Sequence, residues 1–102
     1  MTMLHTVNKS PFERRTLDSC LSHAVKGSAI LLLEDGVYAA LKGSVVADKV
    51  KDAAQDFSIY VLGPDVHARG MTDEQVIDGV SVVDYGGFVD LVTSHDNVQS
   101  WL

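Results

Sequence analysis

Cys20 is the one residue of this chain with the chemistry of a soft nucleophile. A cysteine thiolate can hold a terminal sulfur as a persulfide and pass it to another thiolate, provided its pKa leaves it ionised. Two readings of Cys20 stand side by side. It falls on the same face of a predicted helix as Leu17 and Leu21, where a cysteine packs as a small hydrophobe. Against that, Ser19 and Ser22 flank it, and His23 follows one helical turn on, close enough to accept its proton. It has neither a helix N-terminal position nor an adjacent Lys or Arg to lower its pKa. Inert packing is the leading reading, and Cys20 as a persulfide-bearing thiol is the candidate catalytic residue beside it.

Other residue types with chemical potential lack the spacing to use it. His5, His23, His67 and His95 form no motif such as His-Glu-x-x-His, so neither a metal site nor a cofactor is expected. His5 interrupts an apolar strand, where a buried imidazole needs a hydrogen-bond partner. Glu34-Asp35-Gly36 follows a buried strand, and paired acids there could hold Mg²⁺ as in a phosphoacceptor receiver domain. A receiver also needs acids after the first strand and an Asp directly after the third, where this chain has Asn8-Lys9 and Gly63-Pro64-Asp65. A turn with negative charge at a helix start is the better reading. Gly86-Gly87 would let a phosphate approach a helix N-terminus, and would equally suit a tight strand-to-helix turn.

The elements that position these residues alternate between strand and helix. Met3 to Val7 reads as a strand. Ser10, Pro11 and Glu13 read as N-cap, first helical residue and capping-box partner of a helix ending at Lys26-Gly27. Ser28 to Leu33 is an apolar run suited to a strand covered on both faces, and Val37 to Leu41 a short helical segment. Val46, Val50, Ala53, Ala54 and Phe57 keep helical spacing. Ser58 to Leu62 predicts a third strand, stopped by Gly63-Pro64, with a short helix around Asp65 to Arg69. Thr72 and Gln75 offer a second capping box, Ser81 to Val83 a fourth strand, and Asp84 the start of a last helix with Phe88, Leu91, Val92 and His95 on one face. Val98, Trp101 and Leu102 make an apolar tail, which either tucks into its own domain or anchors a partner; the balance tilts toward an assembly contact. The pattern predicts an α/β fold: a small, mostly parallel sheet with helices on both faces, flavodoxin-like or Rossmann-like.

Composition narrows the function classes. The chain has 102 residues, enough for a single domain spanning 1–102. Its 46% hydrophobic and 22% charged content disfavours disorder. A net charge of −6 argues against direct nucleic-acid binding, which needs a basic face. The longest apolar run, Ala29 to Leu33, is far short of the ~20 residues that cross a bilayer. No basic stretch and apolar core mark a signal peptide, and a lone cysteine suits the reducing cytoplasm.

Several ordered segments resemble one family. Met3-Leu4-His5-Thr6-Val7-Asn8-Lys9-Ser10-Pro11 is similar to the opening of the DsrH/TusB subunits of bacterial sulfur-relay complexes. Leu31-Leu32-Leu33-Glu34-Asp35-Gly36-Val37-Tyr38-Ala39-Ala40 resembles the family's most recognisable segment. Tyr60-Val61-Leu62, Ala68-Arg69-Gly70, Asp84-Tyr85-Gly86-Gly87-Phe88-Val89 and Trp101 follow in the expected order, so the likeness covers essentially the whole chain. It implies a DsrE-like fold and a heterohexamer with homologous DsrE/DsrF-like or TusD/TusC-like subunits, served by a small carrier of DsrC or TusE type. It also implies that sulfur travels as a cysteine persulfide and that the sister subunits' carrier cysteine lies just after the third strand. That place here reads Leu62-Gly63-Pro64-Asp65, so this chain looks like a partner of the carrier. A cysteine in the first helix, as Cys20 is, resembles the DsrH branch, which oxidises stored sulfur with reverse-acting dissimilatory sulfite reductase. The alternatives are the TusB branch, which serves 2-thiolation of the tRNA wobble uridine, and, from another class, a small-ligand-binding α/β domain.

Overall fold

The apolar run at 29–33 becomes β2 (Ala29–Leu32), buried at all four positions, as a strand covered on both faces must be. In the computed structural model, which describes residues 3–102, β2 is the middle strand of a five-stranded sheet. β1 (Met3–Val7), β3 (Ser58–Leu62), β4 (Val80–Val83) and β5 (Asn97–Trp101) complete it in the order β4-β3-β2-β1-β5, every pairing parallel. The first three crossovers step one way across the sheet; the last returns to the far side of β1. Right-handed crossovers then place α1 (Thr16–His23), α2 (Ala47–Ala53) and α3 (Gly63–Ala68) on one face and α4 (Tyr85–Ser94) on the other.

The core divides accordingly. The larger cluster joins Val7, Ile30, Leu32 and Val61 of the sheet to Leu17 and Cys20 of α1, Val50 of α2 and Val66 of α3. The smaller joins Leu4, Ala29 and Leu31 to Leu91 of α4, with Tyr60 and Phe88 packed against them. The α/β class with helices on both faces is what the sequence pattern predicts.

Two expectations are corrected. The first helix starts at Thr16, with Arg15 in the N-cap position and no side-chain cap. Ser10 instead closes an isolated turn: its carbonyl accepts the Glu13 and Arg14 N–H groups, each at 3.1 Å, and its hydroxyl accepts Phe12 N–H at 3.2 Å. A serine that captures nearby amides in this way competes with helix formation. The tail packs within its own domain, as β5 over Asn97–Trp101, with Val98 opposite Leu4 and Trp101 opposite Val7, while Val98 keeps an exposed apolar side. Smaller differences lie at element ends. The segment after β2 is a 3-10 helix over Glu34–Ala40, and β4 begins at Val80.

Candidate functional site

The carboxyl ends of β1 to β4 share one edge, where open parallel sheets place their chemistry. The chain leaves β2 through Glu34, held in the left-handed region at φ 50°. The Glu34 N–H donates to Asp65 Oδ2 at 2.6 Å, tying the end of β2 to the start of α3. Arg69 crosses the same gap, donating through Nε to Asp35 Oδ1 at 3.0 Å and through Nη1 to the Asp65 carbonyl at 3.3 Å. Gly36 lies hard against β1: a Cβ there would stand 2.1 Å from the Val7 carbonyl oxygen, so only glycine fits. At β4, Asp84 Oδ1 accepts the Gly87 N–H at 2.8 Å and caps α4. The two glycines serve this tight turn, since a Cβ at 87 would meet Val83 Cβ at 2.9 Å. The edge acids Asp35, Asp65 and Asp84 are thus engaged by the protein's own donors. Asn8 Nδ2 donates to Glu34 Oε2 at 3.5 Å, and its buried Oδ1 has no hydrogen-bond partner among the described residues.

The place just after β3 holds no thiol and little room for one. Gly63 opens α3 with its backbone against β4, and a Cβ would meet Val82 Cγ1 at 3.0 Å and the Val83 carbonyl oxygen at 3.3 Å. Cys20 lies elsewhere, fully buried in the larger core cluster. Burial pushes its thiol up to about 12, so the thiolate is scarce at neutral pH. His23 does not turn toward it as a base: its Nδ1 lies 2.7 Å from the Ser19 carbonyl, and a carbonyl only accepts, so Nδ1 carries the proton.

The fold instead groups His5 and His23 around Trp101. Trp101 Nε1–H donates to His5 Nδ1 at 3.0 Å, with ring centroids 6.1 Å apart; the His23 ring lies 5.8 Å from the indole on a different element. An indole nitrogen only donates, so His5 is neutral and carries its proton on Nε2. Burial pushes the His5 pKa down, in the same direction. The signal for this cluster was in the sequence: His5 needed a partner, and Trp101 became one through β5. The other histidines make local contacts, His67 Nε2 with Asp73 Oδ1 and His95 Nδ1 with the Leu91 carbonyl, each at 2.7 Å. Among the described residues no group of three or more His, Cys, Asp or Glu could hold a metal ion.

A family model described as "DsrH like protein" matches residues 9–98. The chain belongs to the DsrH-like family. Within the DsrH/TusB family of sulfur-relay proteins, it is similar to relatives named Protein TusB. The one from Pectobacterium parmentieri is 41% identical over 99 residues, covering 97% of this chain and 100% of that protein. The one from Escherichia coli (strain K12) is 33% identical over 99 residues with the same coverage. The DsrE-like architecture recurs in the crystal structure of the ychN protein from E. coli, with a TM-score of 0.83, 18% identity and 98% of both chains covered. It recurs again in the solution structure of Tm0979 from Thermotoga maritima, with a TM-score of 0.65, 22% identity and 91% and 93% covered. This DsrH-like protein places helices on both faces of its sheet. Among the described residues, no helix is long and apolar enough to cross a membrane.

Proposed function

We propose that this chain is a TusB-type accessory subunit of a cytoplasmic sulfur-relay heterohexamer that serves 2-thiolation of the tRNA wobble uridine. The observation that carries this reading is the 41% identity, end to end, with a relative named Protein TusB. Cys20 in the first helix favours the sulfur-oxidising branch; it is one buried residue, and the named relatives outweigh it. Homologous TusC- and TusD-like subunits are the partners, with a TusE-like carrier downstream. Contact with tRNA falls to other components, in keeping with the net charge of −6.

Sulfur moves through thiols that this chain does not supply. An acceptor thiolate attacks the terminal sulfur of a carrier persulfide; a new S–S bond forms, the old one breaks, and the carrier leaves as its thiolate. Cys20 packs in the core as a small hydrophobe, and the chain's contribution is to hold the carrier subunit. Tyr85, Val89 and Val92 recur along α4 at 61%, 58% and 39% exposure, and Val98 at 45% continues the apolar surface onto β5. This face is the docking surface for a sister subunit of the same fold.

The test is tRNA thiolation in cells lacking this chain, read as 2-thiouridine by mass spectrometry of digested tRNA. Loss of the nucleoside on deletion, restored by both the wild-type chain and Cys20→Ala, is the expected result. Undiminished 2-thiouridine in the deletion strain would overturn the function. Failure of Cys20→Ala alone, with the complex intact on size exclusion, would return the sulfur to Cys20.

A further inference from the structure

A cavity of about 370 Å³ opens at the amino end of the sheet, away from the acid-lined edge, and the proposed relay role leaves it unused. Met3 and His5 of β1 form one wall, and His23, Val25, Lys26 and Ser28 from the end of α1 and the connection to β2 form the other. Its size lies within the roughly 300–1,000 Å³ range of small-molecule sites.

The polar groups that line it have a definite polarity. His5 is only 6% exposed, and its Nδ1 accepts from Trp101. Its remaining polar atom is therefore a protonated Nε2, which has no hydrogen-bond partner among the described residues. This atom is a donor, so His5 cannot use it to ligate a metal. His23, with its proton fixed on Nδ1 by the Ser19 carbonyl, becomes a second Nε2 donor only on protonation. Lys26 also lines it, with its side chain 80% exposed and its ammonium paired with Asp56 Oδ1 at 3.6 Å. Of the chain's 14 acidic residues none lines the cavity, although two of its four histidines and one of its eight Lys and Arg do. In a chain of net charge −6, a cavity with no carboxylate in its lining and an unpaired His5 Nε2–H suits an anion. The apolar walls at Met3 and Val25 suit a hydrocarbon stem.

We propose that this cavity binds a small aliphatic monocarboxylate, with the carboxylate accepting the His5 Nε2–H near Lys26 and the stem lying against Met3 and Val25. Trp101, in contact with both lining histidines and the only tryptophan in the chain, reports occupancy through its emission.

The experiment titrates the full-length chain with sodium butyrate at constant ionic strength, using sodium chloride as the blank and the uncharged, equally sized butyramide as the comparison. A saturable change in Trp101 emission with half-saturation on the order of 1 mM is expected, since a six-atom ligand has limited binding free energy. Butyramide should bind at least tenfold more weakly. Val25→Asp sets a carboxylate at the cavity from a position 76% exposed, so it should keep the wild-type unfolding midpoint and weaken butyrate at least tenfold. His5→Phe should abolish the response, and Val25→Asp keeps the test informative should that variant fold poorly. Absence of saturation up to about 50 mM butyrate, an equal response to butyramide, or undiminished binding by a folded Val25→Asp would each overturn the proposal.

Discussion

Cys20 and His5 are both buried, and burial acts on them in opposite charge senses. A thiol is neutral when protonated, so desolvation raises its pKa; an imidazole is neutral when deprotonated, so desolvation lowers it. For Cys20 the consequence is inertness. A disulfide reagent should label native protein more than a hundredfold more slowly than denatured protein, because attack needs an exposed thiolate. Rapid labelling of the folded chain would show that the thiol is accessible after all.

For His5 the consequence is a pH dependence of known sign. The unfolded imidazole takes up a proton near 6.5, while the folded one resists until lower pH. Below about pH 6.5 the unfolded state therefore binds more protons, and stability falls as pH falls. Protonation also places a hydrogen on Nδ1, the atom that accepts from Trp101. The urea midpoint should drop between about pH 7.5 and 5.5, together with a change in Trp101 emission. His5→Phe should be less stable at neutral pH by roughly 1–3 kcal/mol, the cost of an unpaired indole N–H, and should flatten that dependence. An unchanged slope would assign the effect to another group.

At the scale of elements, the close approach of the 3-10 segment to β1 rests on Gly36. The Val7 carbonyl that it abuts accepts the Leu33 N–H at 3.1 Å, so it cannot retreat without breaking the register at the end of β2. Gly36→Ala should destabilise the chain by about 3 kcal/mol in a urea titration, a large loss for one methyl group. A loss below about 1 kcal/mol would mean that the segment shifts freely.

The same element shows what was legible from sequence. Asp35-Gly36 marks a turn in any sequence, and the apolar run before it marks a strand, so β2 and its exit were readable. The Arg69–Asp35 bridge was not, because it spans 34 positions and depends on the order of the strands. β5 was hidden for a related reason. Asn97-Val98-Gln99-Ser100-Trp101 has too few apolar residues to read as a strand and is one only because β1 leaves an edge open. Ser10-Pro11 carried the signs of a helix start and became a turn, since the serine hydroxyl bonds locally. The candidate site was legible in its parts, with His5 wanting a partner and Trp101 conspicuous, and illegible in their pairing.

For the whole molecule, one sheet face carries α1, α2 and α3 while the other is covered by α4 alone. The thinly covered side is where assembly belongs under the proposed function. Val89→Arg, on the outer surface of α4, should leave the thermal midpoint of the isolated chain within a few degrees and remove it from the co-expressed complex on size exclusion. Normal complex formation by this variant would place the sister subunit elsewhere.

The position of β1 inside the sheet reaches into biosynthesis. Its inner neighbour, β2, is made soon after it, but its outer neighbour, β5, comes much later: Thr6 and Ser100, linked by their hydroxyls at 3.3 Å, are 94 positions apart. On a ribosome adding roughly 5–20 residues per second, one flank of β1 stays unpaired until residues 97–101 have been made. Its backbone amides and carbonyls then form an open strand edge able to join any other nascent strand. For this chain, the interval between the synthesis of β1 and that of β5 is the window for misassembly, and chaperones or sister subunits that shield β1 must act within it.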